Sequence, residues 1–202
     1  MEMIGRYFSD LQQTLDQLDQ ERIAQAIRVL HEARLHGRKI FIMGNGGSAS
    51  TASHFVCDLS KNTRRPGWRP FRVIGLADNM ASFSAYGNDE GYDQVFAQQL
   101  ASLVEPEDVV IAISTSGRSP NVLRAVEVAR ANEAFTIGFT GFNGGDLRHM
   151  VDLELYVPSD CIEHVEDIHL ILEHLMCKQL REMAEAAPEA ASNGHQEQPV
   201  SV

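Results

Sequence analysis

Apolar residues recur at helical spacing through the first stretch of the chain. Ile4, Phe8, Leu11, Leu15 and Leu18, then Ile23, Ile27 and Leu30, fall three to five positions apart. This spacing predicts two amphipathic helices within Ile4 to Leu35. The pattern then changes. Short continuous apolar runs at 39–43, 71–76, 109–113, 135–139 and 153–157 read as buried strands. Helical patterns separate them at 50–59, 93–103 and 120–131, and a long closing helix is predicted over 161–184. Strands buried on both faces and alternating with helices imply an α/β fold, a parallel sheet with helices on both sides. Residues 1–184 read as one domain. The segment 185–202, made from Pro188 onward of Ala, Ser, Gly, Gln, Glu and Pro, reads as a disordered tail.

Two of the apolar runs end in loops of small residues. Lys39 to Met43 leads into Gly44-Asn45-Gly46-Gly47-Ser48-Ala49. Val109 to Ile113 leads into Ser114-Thr115-Ser116-Gly117-Arg118-Ser119, with Pro120 at the start of the next helix. Backbone N–H groups at a helix start, free of bulky side chains, form an anion site. In parallel sheets ligands sit at the carboxyl ends of the strands, where both loops lie. Two such loops, one with stacked hydroxyls, point to a phosphorylated, hydroxyl-rich small molecule. Gly44-x-Gly46-x-x-Ala49 also fits a relaxed dinucleotide fingerprint. That reading wants an acidic residue about 20 positions on, and the next strand ends near Asp78, well past it. A Walker loop is excluded, because Gly47-Ser48-Ala49 has no lysine.

Composition narrows the classes. The 202 residues carry 17 Lys and Arg against 28 Asp and Glu, a net charge of −11. That balance argues against nucleic acid or an anionic membrane as partner. No apolar run approaches the roughly 20 residues of a membrane span. Met1 to Ser9 lacks the layout of a signal peptide. Cys57, Cys161 and Cys177 show no CxxC spacing and read as reduced, so a cytoplasmic protein is expected.

Polar residues cluster in two places. His54 and Asp58, four apart, share a face of the helix that leaves the first loop. Cys57 points off that face and reads as a core residue. The closing helix carries Glu163, His164, Glu166, Asp167, His169, Glu173 and His174. A His-x-x-x-Asp pair with a distant Glu and His is a plausible set for a divalent metal, although charged helix faces are more often simply solvated.

Asn45-Gly46-Gly47-Ser48, Ser53-His54-Phe55, Gly87-Asn88-Asp89, Ser114-Thr115-Ser116-Gly117-x-Ser119 and Thr140-Gly141-x-x-Gly144-Gly145 occur in this order. Together they resemble the phosphoheptose isomerase branch of the SIS (sugar isomerase) domain family, over most of the chain to about Met183. The resemblance implies a three-layer α/β/α fold assembled as a homotetramer, and isomerisation of sedoheptulose 7-phosphate to an aldoheptose 7-phosphate. It implies substrate contacts at Asn45, Gly46, Gly47, Ser48, Asn88 and Asp89, and a phosphate loop at Ser114, Thr115, Ser116 and Ser119. It implies a metal, zinc in the family, at His54, Asp58, Glu166 and His174, with Glu166 also touching substrate. Two positions depart: Asp58 stands where the family has Glu, and Glu166 where it has Gln. The base is therefore Asp58 or Glu166, with His174 as its acid/base partner.

Glu166 and His174 are eight apart, about 12 Å along a helix at 1.5 Å per residue. One ion can hardly take both from one chain. A site shared across a subunit interface is expected, with Glu166 and His169 as a local alternative pair. The competing reading is a non-catalytic SIS protein that binds a sugar phosphate, or a protein partner such as a replication initiator.

Overall fold

The computed structural model describes residues 2–186. Two helices, α1 (Glu2–Leu15) and α2 (Gln20–His36), precede the sheet. Asp19 starts α2 by accepting from the N–H groups of Glu21 and Arg22 at 3.0 and 3.1 Å, and Gly37 ends it in the left-handed conformation. Then follow β1 (Lys39–Gly44), α3 (Gly47–Cys57) and one π-helical turn (Asp58–Asn62). Next come β2 (Arg72–Gly75), α4 (Met80–Asp89), a 3-10 turn (Tyr92–Gln94) and α5 (Ala97–Ala101). The chain continues through β3 (Val109–Ile113), α6 (Pro120–Ala131), β4 (Phe135–Thr140), α7 (Leu147–Met150), β5 (Leu153–Tyr156) and α8 (Ile162–Ala186).

The five strands pair in the order β2-β1-β3-β4-β5, all parallel. Successive side chains on a strand point to opposite faces, so each central strand feeds two cores. Ile40, Ile42, Ile111 and Ile113 pack under α2, α3 and α8. Phe41, Met43, Val110 and Ala112 pack under α5 and α6. The result is the three-layer α/β/α sandwich. None of the helices among the described residues is long and apolar enough to cross a membrane.

Two expected elements change. The predicted helix at 93–103 is a 3-10 turn followed by the shorter α5, and the predicted helix at 50–59 begins earlier, at Gly47. Two helices, α4 and α7, were not expected. α4 buries none of its residues, so it carries no apolar stripe to read; Asn79 starts it by accepting from Ser82 N–H at 3.1 Å. The closing helix extends to Ala186, and the rest of the tail predicted for 185–202 lies outside the described residues.

Candidate active site

The two loops lie side by side, since β1 and β3 are neighbours in register from Ile40 opposite Val109 to Gly44 opposite Ile113. A reciprocal amide pair joins them. Asn45 Nδ2 donates to Asn121 Oδ1, and Asn121 Nδ2 donates back to Asn45 Oδ1, both at 2.9 Å. Tyr92 adds a hydroxyl donor to Asn45 Oδ1 at 2.9 Å. Asn121, nearly fully buried, also accepts from Val122 N–H at the start of α6. Asn45 is thus fixed in orientation from two elements before any ligand arrives.

The Ser114–Ser119 loop is braced from behind. Ser114 N–H donates to Phe139 O, and Gly141 N–H donates to Thr115 O. Leu147 N–H donates to Gly117 O at 3.0 Å. Gly117 has φ +63°, and a β-carbon there would collide with the Gly144 carbonyl. No larger residue fits between the two turns. Ser114 Oγ donates to Ser119 Oγ at 3.2 Å, and Ser116 Oγ accepts from Arg118 N–H. Ser119 stands at the start of α6 without spending its hydroxyl on a helix cap. Hydroxyls and the α6 amino terminus therefore converge on one spot.

The first loop opens α3, which no side chain caps. Ser48 is buried; Gly46 and Gly47 are exposed. Glu166 of α8 stands directly against Gly47: a β-carbon at that position would lie 2.5 Å from Glu166 Oε2. Asn88 and Asp89, at the end of α4, are exposed and bond to each other, Nδ2 to Oδ1 at 2.7 Å. α4 is tied to the first loop through Phe83, which packs on Tyr92.

α3 and α8 run side by side in the same direction. Glu166 meets Gly47 at one end, and two turns further on His174 meets His54 and Asp58. The His54 and His174 rings cross with centroids 4.9 Å apart. His54 Nε2 is 3.7 Å from Asp58 Oδ1. The fourth member of this cluster is Glu173: one ligand atom each from His54, Asp58, Glu173 and His174 lies within 4.8 Å of the others. Glu166 is not in it, consistent with its 12 Å separation along α8 from His174. The expected pairing of Glu166 with His169 does not occur either. His169 is buried, its Nε2 donates to Thr140 O at 3.3 Å, and its ring packs on Phe139. Burial lowers its pKa to about 4.

Electrostatics concentrate on Glu173. Its carboxyl is fully buried, and burial followed by the nearby Asp58 charge pushes its pKa up to about 8. Its Oε2 has no hydrogen-bond partner, although His174 Nε2 lies 3.3 Å away. Asn62 Nδ2 holds Asp58 Oδ1 at 2.6 Å. Asp58 and Asn62 bound the π-helical turn; such turns inside helices are frequent at functional sites. Cys57 is exposed rather than a core residue, since α3 turns that position outward. A groove of about 820 Å³ lies at the opposite end of the sheet, lined by residues such as Arg38, Glu107 and Arg130. It shares no residue with either loop or the cluster.

The SIS domain family matches over residues 6–141. The phosphoheptose isomerase of Aliarcobacter butzleri is 40% identical over 164 residues, 79% of this chain and 84% of that protein. A solved phosphoheptose isomerase from Francisella tularensis superposes with a TM-score of 0.83 at 34% identity, over 90% of this chain and 97% of that one. Another from Neisseria gonorrhoeae gives 0.82 at 30%, over 90% and 98%. The chain belongs to the SIS domain family and, within it, to the phosphoheptose isomerases. It is an isomerase.

Sequence reasoning missed Glu173, Asn121, Tyr92 and Asn62 as site residues. Glu173 left a readable signal. The buried stripe of α8 runs through Val165, Ile168, Leu172, Met176, Cys177 and Leu180, and Glu173 sits on that stripe, where an apolar residue is the norm. Asn121 and Tyr92 leave no comparable trace, because their partner lies far away in sequence.

Proposed function

We propose that this protein is a metal-assisted aldose–ketose isomerase that converts sedoheptulose 7-phosphate to D-glycero-D-manno-heptose 7-phosphate. The observation that carries the proposal is the gathering of His54, Asp58 and His174 on two parallel helices whose amino-terminal side holds both small-residue loops. The names of the similar proteins support the phosphoheptose as substrate.

The donor set fits a divalent ion. Two imidazoles with carboxylates suit zinc, and the buried Oε2 of Glu173, without a hydrogen-bond partner, is an acceptor that a cation would satisfy. His54, Asp58 and His174 would hold the ion, which when bound supplies Lewis-acid polarisation of the sugar carbonyl. Glu166, assigned to the metal by resemblance, stands at the first loop instead and is proposed as a substrate contact.

The chain's own groups do the rest. Ser114, Thr115, Ser116 and Ser119 bind the phosphate through hydroxyls and backbone N–H groups. Asn45, Gly46, Gly47, Ser48, Asn88 and Asp89 orient the sugar hydroxyls. Asp58 takes a proton from C1 of the ketose and returns it to C2. His174 protonates the C2 oxygen and removes the proton of the C1 hydroxyl, so that the carbonyl moves from C2 to C1 with no net loss of atoms. Glu166, one methylene longer than Asp58, is the second carboxylate within reach of a sugar held at Gly47.

A homo-oligomer, in particular a tetramer, is proposed on the exposed apolar residues Met3, Ile4 and Phe8 of α1 and Ile171 and Leu175 of α8. The last two line a groove of roughly 340 Å³ with Leu15, Leu18 and Ile27. A cytoplasmic setting accords with three free cysteines. The test is an NMR assay of zinc-loaded protein with sedoheptulose 7-phosphate, repeated after chelation. The proposal expects an aldose phosphate to appear and its formation to stop on chelation. Tight sugar-phosphate binding without turnover would favour a binding protein.

A further inference from the structure

We infer that Glu173 is the fourth metal ligand of this chain, closing a set with His54, Asp58 and His174 that leaves Glu166 outside. The inference rests on the metal-assisted reading above and assigns a residue that the resemblance does not.

Four observations point the same way. First, the ligand atoms of the four residues lie within 4.8 Å of one another. Donors around a tetrahedral zinc at about 2.0–2.2 Å lie roughly 3.3–3.6 Å apart, so side-chain rotations that close the set by up to about 1.5 Å would seat an ion. Second, Glu173 is fully buried, its Oε2 has no hydrogen-bond partner and lies 3.3 Å from His174 Nε2, and its Oε1 accepts from the Cys177 thiol at 3.8 Å. A buried carboxyl group beside a second carboxylate is costly, and an apolar residue at this stripe position would avoid that cost. Third, Asp58 reaches one methylene less far than the Glu that the family places there. Glu173 brings a second carboxylate to the same spot from the facing helix. Fourth, Glu166 is committed to Gly47 two helical turns away. His54 and His174 remain about half exposed, so the open side of the set faces solvent and the incoming sugar.

The test is zinc binding by calorimetry and elemental content on the full chain, comparing wild type, Glu173→Gln and Glu166→Ala, with the cobalt(II) visible spectrum as a second readout. Gln is nearly isosteric with Glu and uncharged. Glu173→Met, which suits the surrounding apolar stripe, serves as a second variant should Gln perturb folding. The expected result is one zinc per chain in wild type and a loss of affinity of about tenfold or more in both Glu173 variants. Glu166→Ala is expected to stay within about threefold of wild type, and only the Glu173 variants to alter the cobalt spectrum. Wild-type affinity in Glu173→Met, or an equal loss in Glu166→Ala, overturns the inference and leaves the metal-assisted reading standing. Absence of zinc binding in wild type overturns both.

Discussion

Asp58 is gripped by Asn62 at 2.6 Å and faced by the buried Glu173. Its short arm is therefore aimed by its neighbours and not by its own length. This makes it the residue on which proton transfer should depend. Asp58→Asn is expected to lower kcat by roughly 10²–10⁴-fold, while the affinity for sugar phosphate, measured by calorimetry, stays close to wild type because the phosphate is anchored elsewhere. A variant that keeps near-normal turnover would move the base to Glu166. Asn45 offers a second residue-scale test. Asn121→Ala removes the buried half of a reciprocal amide pair and leaves Asn45 with Tyr92 alone. A loss of about 1–3 kcal/mol in stability is expected in denaturant titration, together with weaker sugar-phosphate binding. At this scale the sequence was legible where spacing is short. His54 and Asp58 share a face by being four apart, and His174 joins them. Glu166 stands against Gly47 within the single chain, eight residues before His174, so its place in the metal set rests on the resemblance and on the expected shared interface.

The two loops and α8 carry the next level. The Ser114–Ser119 loop is rigid from behind and open in front, so its hydroxyls should act singly. Ser116→Ala and Ser119→Ala are each expected to weaken sugar-phosphate binding by about 1 kcal/mol or somewhat more, since the acceptor is charged. Unchanged dissociation constants in both would remove the phosphate from this loop. On α8, His169 occupies a core position as a neutral ring between Phe139 and the Thr140 carbonyl. Its folded pKa of about 4 lies below the ordinary value of 6.5. Between those values the unfolded chain binds a proton that the folded chain does not, so stability falls as pH drops from 6.5 towards 4. The full effect is about 3 kcal/mol. His169→Gln keeps a donor for Thr140 O without titrating. It should flatten the acid side of the stability profile, read from denaturation midpoints between pH 7 and pH 4, and an unaltered slope would refute this. The strands and α6 were legible because continuous apolar runs and Pro120 mark them directly. α4 was not, because none of its ten residues is fully buried, and periodicity reads burial alone.

For the molecule as a whole, the alternation of strand and helix was enough to define a parallel sheet, and the sheet in turn brings the carboxyl ends of β1 and β3 together. That is why two loops about 70 residues apart in sequence lie side by side. The apolar residues left on α1 and α8 predict association. Phe8→Asp combined with Leu175→Asp should shift the sedimentation of the protein towards the monomer, and a wild type that already sediments as a monomer would contradict the proposed assembly. The account as a whole rests on one pocket holding phosphate, metal and reacting carbons together. The most direct measurement is a crystal structure of the full chain with zinc and sedoheptulose 7-phosphate bound. The prediction is phosphate on Ser114–Ser119, zinc at about 2.0–2.1 Å from nitrogens of His54 and His174, and C1 and C2 of the sugar beside Asp58. Phosphate seated at Asn45–Ser48, or an ion bound away from His54 and His174, would contradict it.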